Sequence, residues 1–172
     1  MLGEYFKFIT KNENKLVSFE EEIKHARLYT DIQSMRFSRR ITVQFDELPK
    51  GVEQIKVPKL IVQPIIENAY KYGLEKLTAH GFLRITFDQL NQREISMMVE
   101  DNGDALSTIE ISQLEQRITN MEEQQESTGL ANIHRRLVLT YEKGSGLYLS
   151  RSSLSGLKVH LRIILRGEIH DV

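Results

Sequence analysis

The order of elements in this chain predicts an α+β fold, a two-layer α/β sandwich whose mixed, roughly five-stranded sheet carries helices on one face. Three observations lead there. Short segments alternate apolar and polar residues as half-buried strands do, most clearly Leu157–Leu165, where Val159, Leu161, Ile163 and Leu165 fall in step. Between them stand stretches with apolar residues at helical spacing. The resulting order is strand, helix, paired strands, helix, loop, helix, paired strands, with no internal repeat. At 172 residues one domain is expected, large enough to bury roughly 70% of its unfolded surface.

Residues 2–12 and 18–36 read as helices separated by the polar run Thr10–Lys15. The second opens with Ser18 and, three residues on, Glu21, a capping-box pattern, and Phe19, Ile23, Ala26, Tyr29, Ile32 and Phe37 approximate one apolar stripe. These helices suggest a unit over 1–38 ahead of a main domain over 39–172. Ile41–Phe45 alternates as a strand. A helix is expected over Pro58–Gly73, with Pro58 at its first position, Gly73 as its stop and a kink at the internal Pro64. Gly81–Phe87 and Glu94–Glu100 form a hairpin through Asn91–Arg93. A polar stretch over 104–128 holds a helix near Ile109–Met121 and then a loop, Glu122–Thr128, too hydrophilic for a core. Leu130–Tyr141 is helical again, ended by Gly144 and Gly146, and the strands Leu147–Arg151 and Leu157–Leu165 close the domain.

Composition excludes several function classes. A net charge of −1 gives no footprint for nucleic acid or an anionic membrane surface. With no cysteine there is no disulfide, thiolate zinc site or thiol nucleophile. No signal peptide is evident and no apolar run approaches the ~20 residues of a membrane span.

Chemistry concentrates in three places. On the strongly apolar helix built from Leu60, Ile61, Ile65, Ile66 and Ala69, the residues Glu67, Asn68 and Lys71 put a carboxylate, a carboxamide and a cation together, the outline of a metal-phosphate constellation. Taken alone, Glu67 and Lys71 are better read as a surface i,i+4 pair, with Asn68 bonded to a neighbouring backbone. Asp101-Asn102-Gly103 follows a strand, where the carboxylate can accept from an exocyclic amine and the glycine lets a flat base approach the backbone. An ordinary turn has the same residues. Gly129 opens a helix whose first N–H groups favour an anion, or is simply a loop glycine.

In this order the three segments resemble the Bergerat-type ATP-binding fold, and specifically the catalytic and ATP-binding domain of LytS/YesM-like bacterial sensor histidine kinases. The resemblance runs from about Leu2 to Leu165. Val17–Phe37 is similar to the family's linker helix, Pro58–Gly73 to its asparagine box, Asp101–Gly103 to its first glycine box, and Gly129–Asn132 with Arg136-Leu137 to its second.

The resemblance implies ATP and Mg2+ as cofactors, with Asn68 as the metal ligand and Glu67 orienting or deprotonating the attacking group. Lys71 and Tyr72 would lie by the nucleotide, Asp101 would accept from the adenine amino group, and Gly103 would pack beneath the ring. Gly129 and Leu130 would offer N–H groups to the phosphate tail, with Asn132 and Arg136 at or behind that surface and the loop before Gly129 as the lid. The implied reaction is phosphoryl transfer to a histidine outside this chain, then to a response regulator. The family's Pro-His-Phe-x-x-Asn acceptor pattern is absent. Implied partners are the protein's own dimerisation and phosphoacceptor segment and a response regulator, in a homodimeric, membrane-anchored bacterial sensor whose kinase domain is cytoplasmic.

His25 is not expected to be the acceptor, and no histidine has a second ligand at zinc spacing. Four positions depart from the family pattern: Tyr72 for a frequent histidine, Ala105 and Ser127 for glycines, and Leu157 for a threonine after Gly156. A lost buried hydrogen bond costs about 1–3 kcal/mol, which points to a weak but competent site. The alternative is a degenerate, non-enzymatic module acting through protein contacts. A gyrase- or chaperone-type ATPase is disfavoured by the linker-helix match.

Overall fold

The computed structural model describes residues 15–104, 106–120 and 129–167. The expected helix over 2–12, Ala105, and residues 121–128 with the expected lid and Ser127 lie outside the described residues. Within them the chain runs β1 (Leu16–Ser18), α1 (Phe19–Arg36), β2 (Ile41–Phe45), β3 (Lys56–Pro58), α2 (Gln63–Asn68) and a π-helical segment (Ala69–Leu74). It continues through β4 (Gly81–Gln89), β5 (Glu94–Asp101), α3 (Thr108–Thr119), α4 (Gly129–Thr140), β6 (Gly146–Arg151) and β7 (Leu157–Ile164).

The main sheet has the order β2-β4-β5-β7-β6. Only β2 and β4 pair in parallel, so the sheet is mixed, as expected. Alternation sorts its two faces. Leu83, Ile85, Ile95, Met97, Val99, Val159, Leu161, Ile163, Leu147 and Leu149 are buried in one cluster with residues from the helices. The opposite face carries cross-strand polar pairs instead: Arg84 with Glu100 at 3.0 Å, Arg162 with Glu94 at 2.5 Å, and His160 Nε2 with Ser96 Oγ at 2.7 Å. Helices on one face follow from this division.

Helix α1 starts where its cap residue dictates. Ser18 has extended backbone and its Oγ accepts the Glu21 N–H at 3.1 Å, and Glu20, Glu21 and Glu22 complement the helix dipole. Its apolar stripe buries Phe19, Ile23 and Ala26 in the same core as the sheet, and Phe37 stacks on Tyr70 at 5.9 Å. A second sheet not anticipated from the sequence, β1 against β3, ties the start of α1 to the segment before α2.

The expected helix over Pro58–Gly73 is revised at both ends and at its centre. Pro58 ends β3 opposite Leu16, and Leu60 has φ of +61°, so helix geometry begins only at Gln63. Pro64 then lies in the first turn, where its missing N–H has no intrahelical partner to lose. Gly73 does not stop the helix, which continues as the π segment to Leu74.

The cap of α2 comes from another helix. Val62, its N-cap, has no capping side-chain bond. Glu22 of α1 supplies it: Oε1 accepts the N–H groups of Ile61 at 2.8 Å and Val62 at 3.2 Å, and Oε2 accepts that of Leu60 at 3.1 Å. Burial raises the Glu22 carboxyl above its usual range, although the three N–H groups and the Arg136 charge act to lower it.

Truncation of this carboxylate leaves three N–H groups without their acceptor. We expect Glu22→Ala to destabilise the chain by about 2–6 kcal/mol in urea denaturation, from roughly 1–3 kcal/mol for each of the two buried N–H groups, Ile61 and Val62, left unsatisfied. The raised folded-state pKa also fixes a sign. The folded chain holds this proton more tightly than the unfolded chain, so the carboxyl contributes most at low pH and its contribution falls as pH rises through the folded value. Wild type should lose stability relative to Glu22→Gln as pH increases above the ordinary value of 4.5. A difference constant with pH would contradict this.

Candidate functional site

The residue around which the site is built is Asp101, at the last position of β5. Its side chain is 4% exposed. Oδ1 accepts the Gly103 N–H at 2.9 Å, and the Leu157 N–H also donates to the carboxylate. Its own carbonyl accepts the Gly156 N–H at 3.1 Å. Burial pushes the carboxyl above the usual range, partly offset by the Gly103 and Leu157 N–H groups.

Two glycines make room for it, and a third makes room for one of them. A Cβ on Gly156 would lie 2.1 Å from Asp101 Oδ1 and 2.3 Å from its carbonyl oxygen, and one on Gly73 would lie 2.7 Å from Oδ1. Gly103 is needed for a reason other than an approaching base: its Cβ would lie 2.6 Å from the Gly73 carbonyl oxygen. Thus Gly73 is a close-approach glycine rather than a helix stop. The π segment carries it onto the β5 terminus, and π-helical turns recur at functional sites for such local re-aiming.

A cleft opens at this point, lined by Asn68, Tyr72, Gly73, Asp101 and Gly103, with Leu106, Ile111 and Leu157 as apolar wall and Arg151 and Gly156 at its margin. It joins two of the segments singled out from the sequence. Its innermost space is about 30 Å³, enough for a water. Arg151 is held by the carbonyls of Ser155 at 2.8 Å and Leu106 at 2.7 Å.

The remaining expected site residues are distributed around α2 and α4. Glu67 is half-buried and takes a hydrogen bond from Gln63 Nε2 at 2.5 Å, rather than forming an i,i+4 pair with Lys71. Lys71 is exposed, its Nζ 5.1 Å from the centre of the Tyr72 ring, which is itself 54% exposed. Gly129 and Leu130 are the first described residues of α4. The nearest heavy atom to a Cβ on Gly129 would be Pro64 Cβ at 3.9 Å, so α4 starts beside the first turn of α2. Leu130 points into the core and Asn132 is exposed. Arg136 stands behind the site, donating to the carbonyls of Lys59 and Leu60.

Sequence reasoning missed Leu106, Ile111 and Arg151, which the fold alone brings to the cleft. No spacing signal marks them. Two histidines elsewhere sit inside the fold: His134 Nδ1 accepts the Leu147 N–H at 3.0 Å, and His25 is 3% exposed, with burial holding its ring below the usual range. Among the described residues no three His, Cys, Asp or Glu side chains converge as a metal cage. The donor present, the Asn68 carboxamide oxygen, is a hard one. It fits Mg2+, which keeps several waters and takes its remaining ligands from phosphates.

The glycine cradle makes a sharp stability prediction. Gly156→Ala and Gly73→Ala should each cost about 1–3 kcal/mol, as overpacking against backbone and a fixed carboxylate does. Gly129→Ala should leave stability within about 0.5 kcal/mol, since its Cβ meets only ordinary contacts. Urea denaturation of the three variants checks this, and equal tolerance at all three positions would contradict the cradle.

Comparisons with known proteins agree with this geometry. No family model matches the chain. A Bacillus subtilis protein of uncharacterised role, YwpD, is 31% identical over 158 residues, covering 92% of this chain and 54% of its own length. The Staphylococcus aureus sensor protein kinase HptS is 24% identical over 169 residues, 98% of this chain and 32% of HptS. The chain thus spans between a third and about half of these relatives. Among solved structures, the catalytic domain of histidine kinase ThkA superposes with a TM-score of 0.60 at 14% identity, over 89% of this chain and 97% of that one. The mycobacterial sensor histidine kinase MprB gives 0.57 at 16% identity, over 89% and 98%. The fold is thus that of histidine kinase catalytic domains, and nearly the whole chain is similar in sequence to part of a sensor kinase.

Proposed function

We propose that this chain binds Mg·ATP between the π segment, the β5 terminus and the start of α4, and transfers the γ-phosphoryl group to a histidine on a helix outside it. The observation that carries this reading is the buried Asp101 carboxylate, held by backbone N–H groups in a cradle of glycines and facing the same cleft as Asn68. Such a carboxylate is a fixed acceptor for an exocyclic amine. Leu106, Ile111 and Leu157 give the apolar walls a base needs, and Tyr72 offers a ring at the rim.

Asn68 would hold Mg2+, which supplies neutralisation of phosphate charge when bound. The N–H groups of Gly129 and Leu130 would receive the phosphate tail, with Lys71 and Asn132 at the solvent side. Phosphoryl transfer is mostly positioning and electrostatic stabilisation, so no nucleophile is needed from this domain. An imidazole nitrogen of the acceptor forms the N–P bond as the bond from the γ-phosphorus to the bridging oxygen breaks, and ADP leaves. The proton on the other imidazole nitrogen passes to Glu67.

The partners of this reading are the protein's own dimerisation and acceptor segment, a second copy of the protein and a response regulator. Among the described residues no helix is long and apolar enough to cross a membrane. A cytoplasmic placement beside a membrane anchor elsewhere in the sensor is part of the same proposal.

Calorimetric titration tests the site directly. Mg·ATP should bind saturably. Asp101→Asn should weaken it at least tenfold, as expected from about 1.5–3 kcal/mol for a hydrogen bond to a charged acceptor. Asn68→Ala should remove the dependence of binding on Mg2+. Because the Asp101 carboxyl titrates above the usual range, wild-type affinity should fall on acidification through a midpoint higher than that of an ordinary aspartate, and Asp101→Asn should flatten the profile. Absence of saturable binding by the wild type overturns the nucleotide reading.

With radiolabelled ATP, the chain alone should gain no acid-labile phosphohistidine, whereas an added acceptor segment of its own protein should become labelled. Stable labelling at His25 would overturn the assignment of an external acceptor.

A further inference from the structure

The structure assigns Gln63 as a positioning residue for Glu67, a role that rests on the phosphotransfer reading above. Gln63 opens α2 and is 5% exposed, a burial unusual for a carboxamide. Its Nε2 donates to Glu67 Oε1 at 2.5 Å, one helical turn on. Only the NH2 end of an amide can face a carboxylate, so the direction of this bond is set by chemistry. On its other side the Gln63 side chain meets the His25 ring of α1, and the backbone just before it is clamped by Glu22. Gln63 is therefore held at the clamped helix start, and passes that rigidity to one oxygen of Glu67. The second oxygen, Oε2, is left for the acceptor imidazole. A carboxylate with one oxygen fixed has a single orientation in which to take the proton, whereas an untethered Glu on an exposed helix face samples several rotamers.

The role is separable from nucleotide binding and from folding. Gln63→Leu removes the donor at similar volume, and Gln63→Glu keeps the shape while replacing the donor with an acceptor. We expect both variants to bind Mg·ATP within threefold of wild type by calorimetry. At saturating Mg·ATP, single-turnover transfer to an added acceptor segment of the same protein should fall at least tenfold. In a Glu67→Gln background, Gln63→Leu should have no further effect, because Gln63 acts through Glu67. If the leucine variant does not fold, the glutamate variant carries the test. Wild-type transfer rates in the soluble variants, a loss of binding parallel to the loss of rate, or an undiminished effect in the Glu67→Gln background would each overturn the assignment. Failure of the wild type to bind Mg·ATP would instead remove the function proposed above, and this role with it.

Discussion

One buried carboxylate decides how the two halves of the helical layer meet. Glu22 reaches from α1 to accept the N–H groups of Leu60, Ile61 and Val62. The segment it clamps includes Leu60 at φ +61°, a left-handed conformation that costs a leucine about 1–2 kcal/mol. Arg136 of α4 closes the same turn from the opposite side through the Lys59 and Leu60 carbonyls. The polar groups of a buried, non-repetitive turn are thereby satisfied by charged side chains on two different helices. Everything downstream on α2, including the register of Glu67 and Asn68, takes its position from that turn.

At the far end of α2 a different constraint operates, and it is steric. The π segment brings Gly73 against Asp101, Gly103 against Gly73, and Gly156 against Asp101. With side chains at these positions the β5 and β7 termini could not close on the helix. A carboxylate held by backbone N–H groups in so confined a place is pre-oriented before any ligand arrives. Burial disfavours its charged form. The two ends of α2 thus contribute differently: an electrostatic clamp sets its start and glycine packing sets its finish.

Much of the fold was legible in the residues because period-2 and helical patterns report burial directly. The five strands of the main sheet lie where alternation puts them, and α3 and α4 fall within a residue or two of expectation. The short pair β1 and β3 was invisible, since three residues carry no period. The asparagine-box helix was misplaced at its start because Pro58 suits a strand end as well as a first helical turn, and local propensity cannot choose between them. Asp101, Gly103, Asn68 and Tyr72 were named from motif order and do meet at one cleft. Leu106, Ile111 and Arg151 were not, because an apolar wall drawn from a loop, a helix and a strand has no linear signature.

The sequence by itself determined the layered α+β architecture, which face of the sheet is apolar, and the chemical types available at the site. It also determined that Asp101 is followed two residues later by a glycine and that no cysteine or histidine cluster competes for the role. Only the tertiary structure decided what each glycine is for, that Gln63 ties Glu67 down, and that Arg136 serves the clamp behind the site. The physical reason is one of range. Burial pattern and capping act over a few residues and are written locally, whereas hydrogen bonds across 39 or 76 positions, such as Glu22 to Ile61 and Arg136 to Leu60, exist only once the chain has closed on itself.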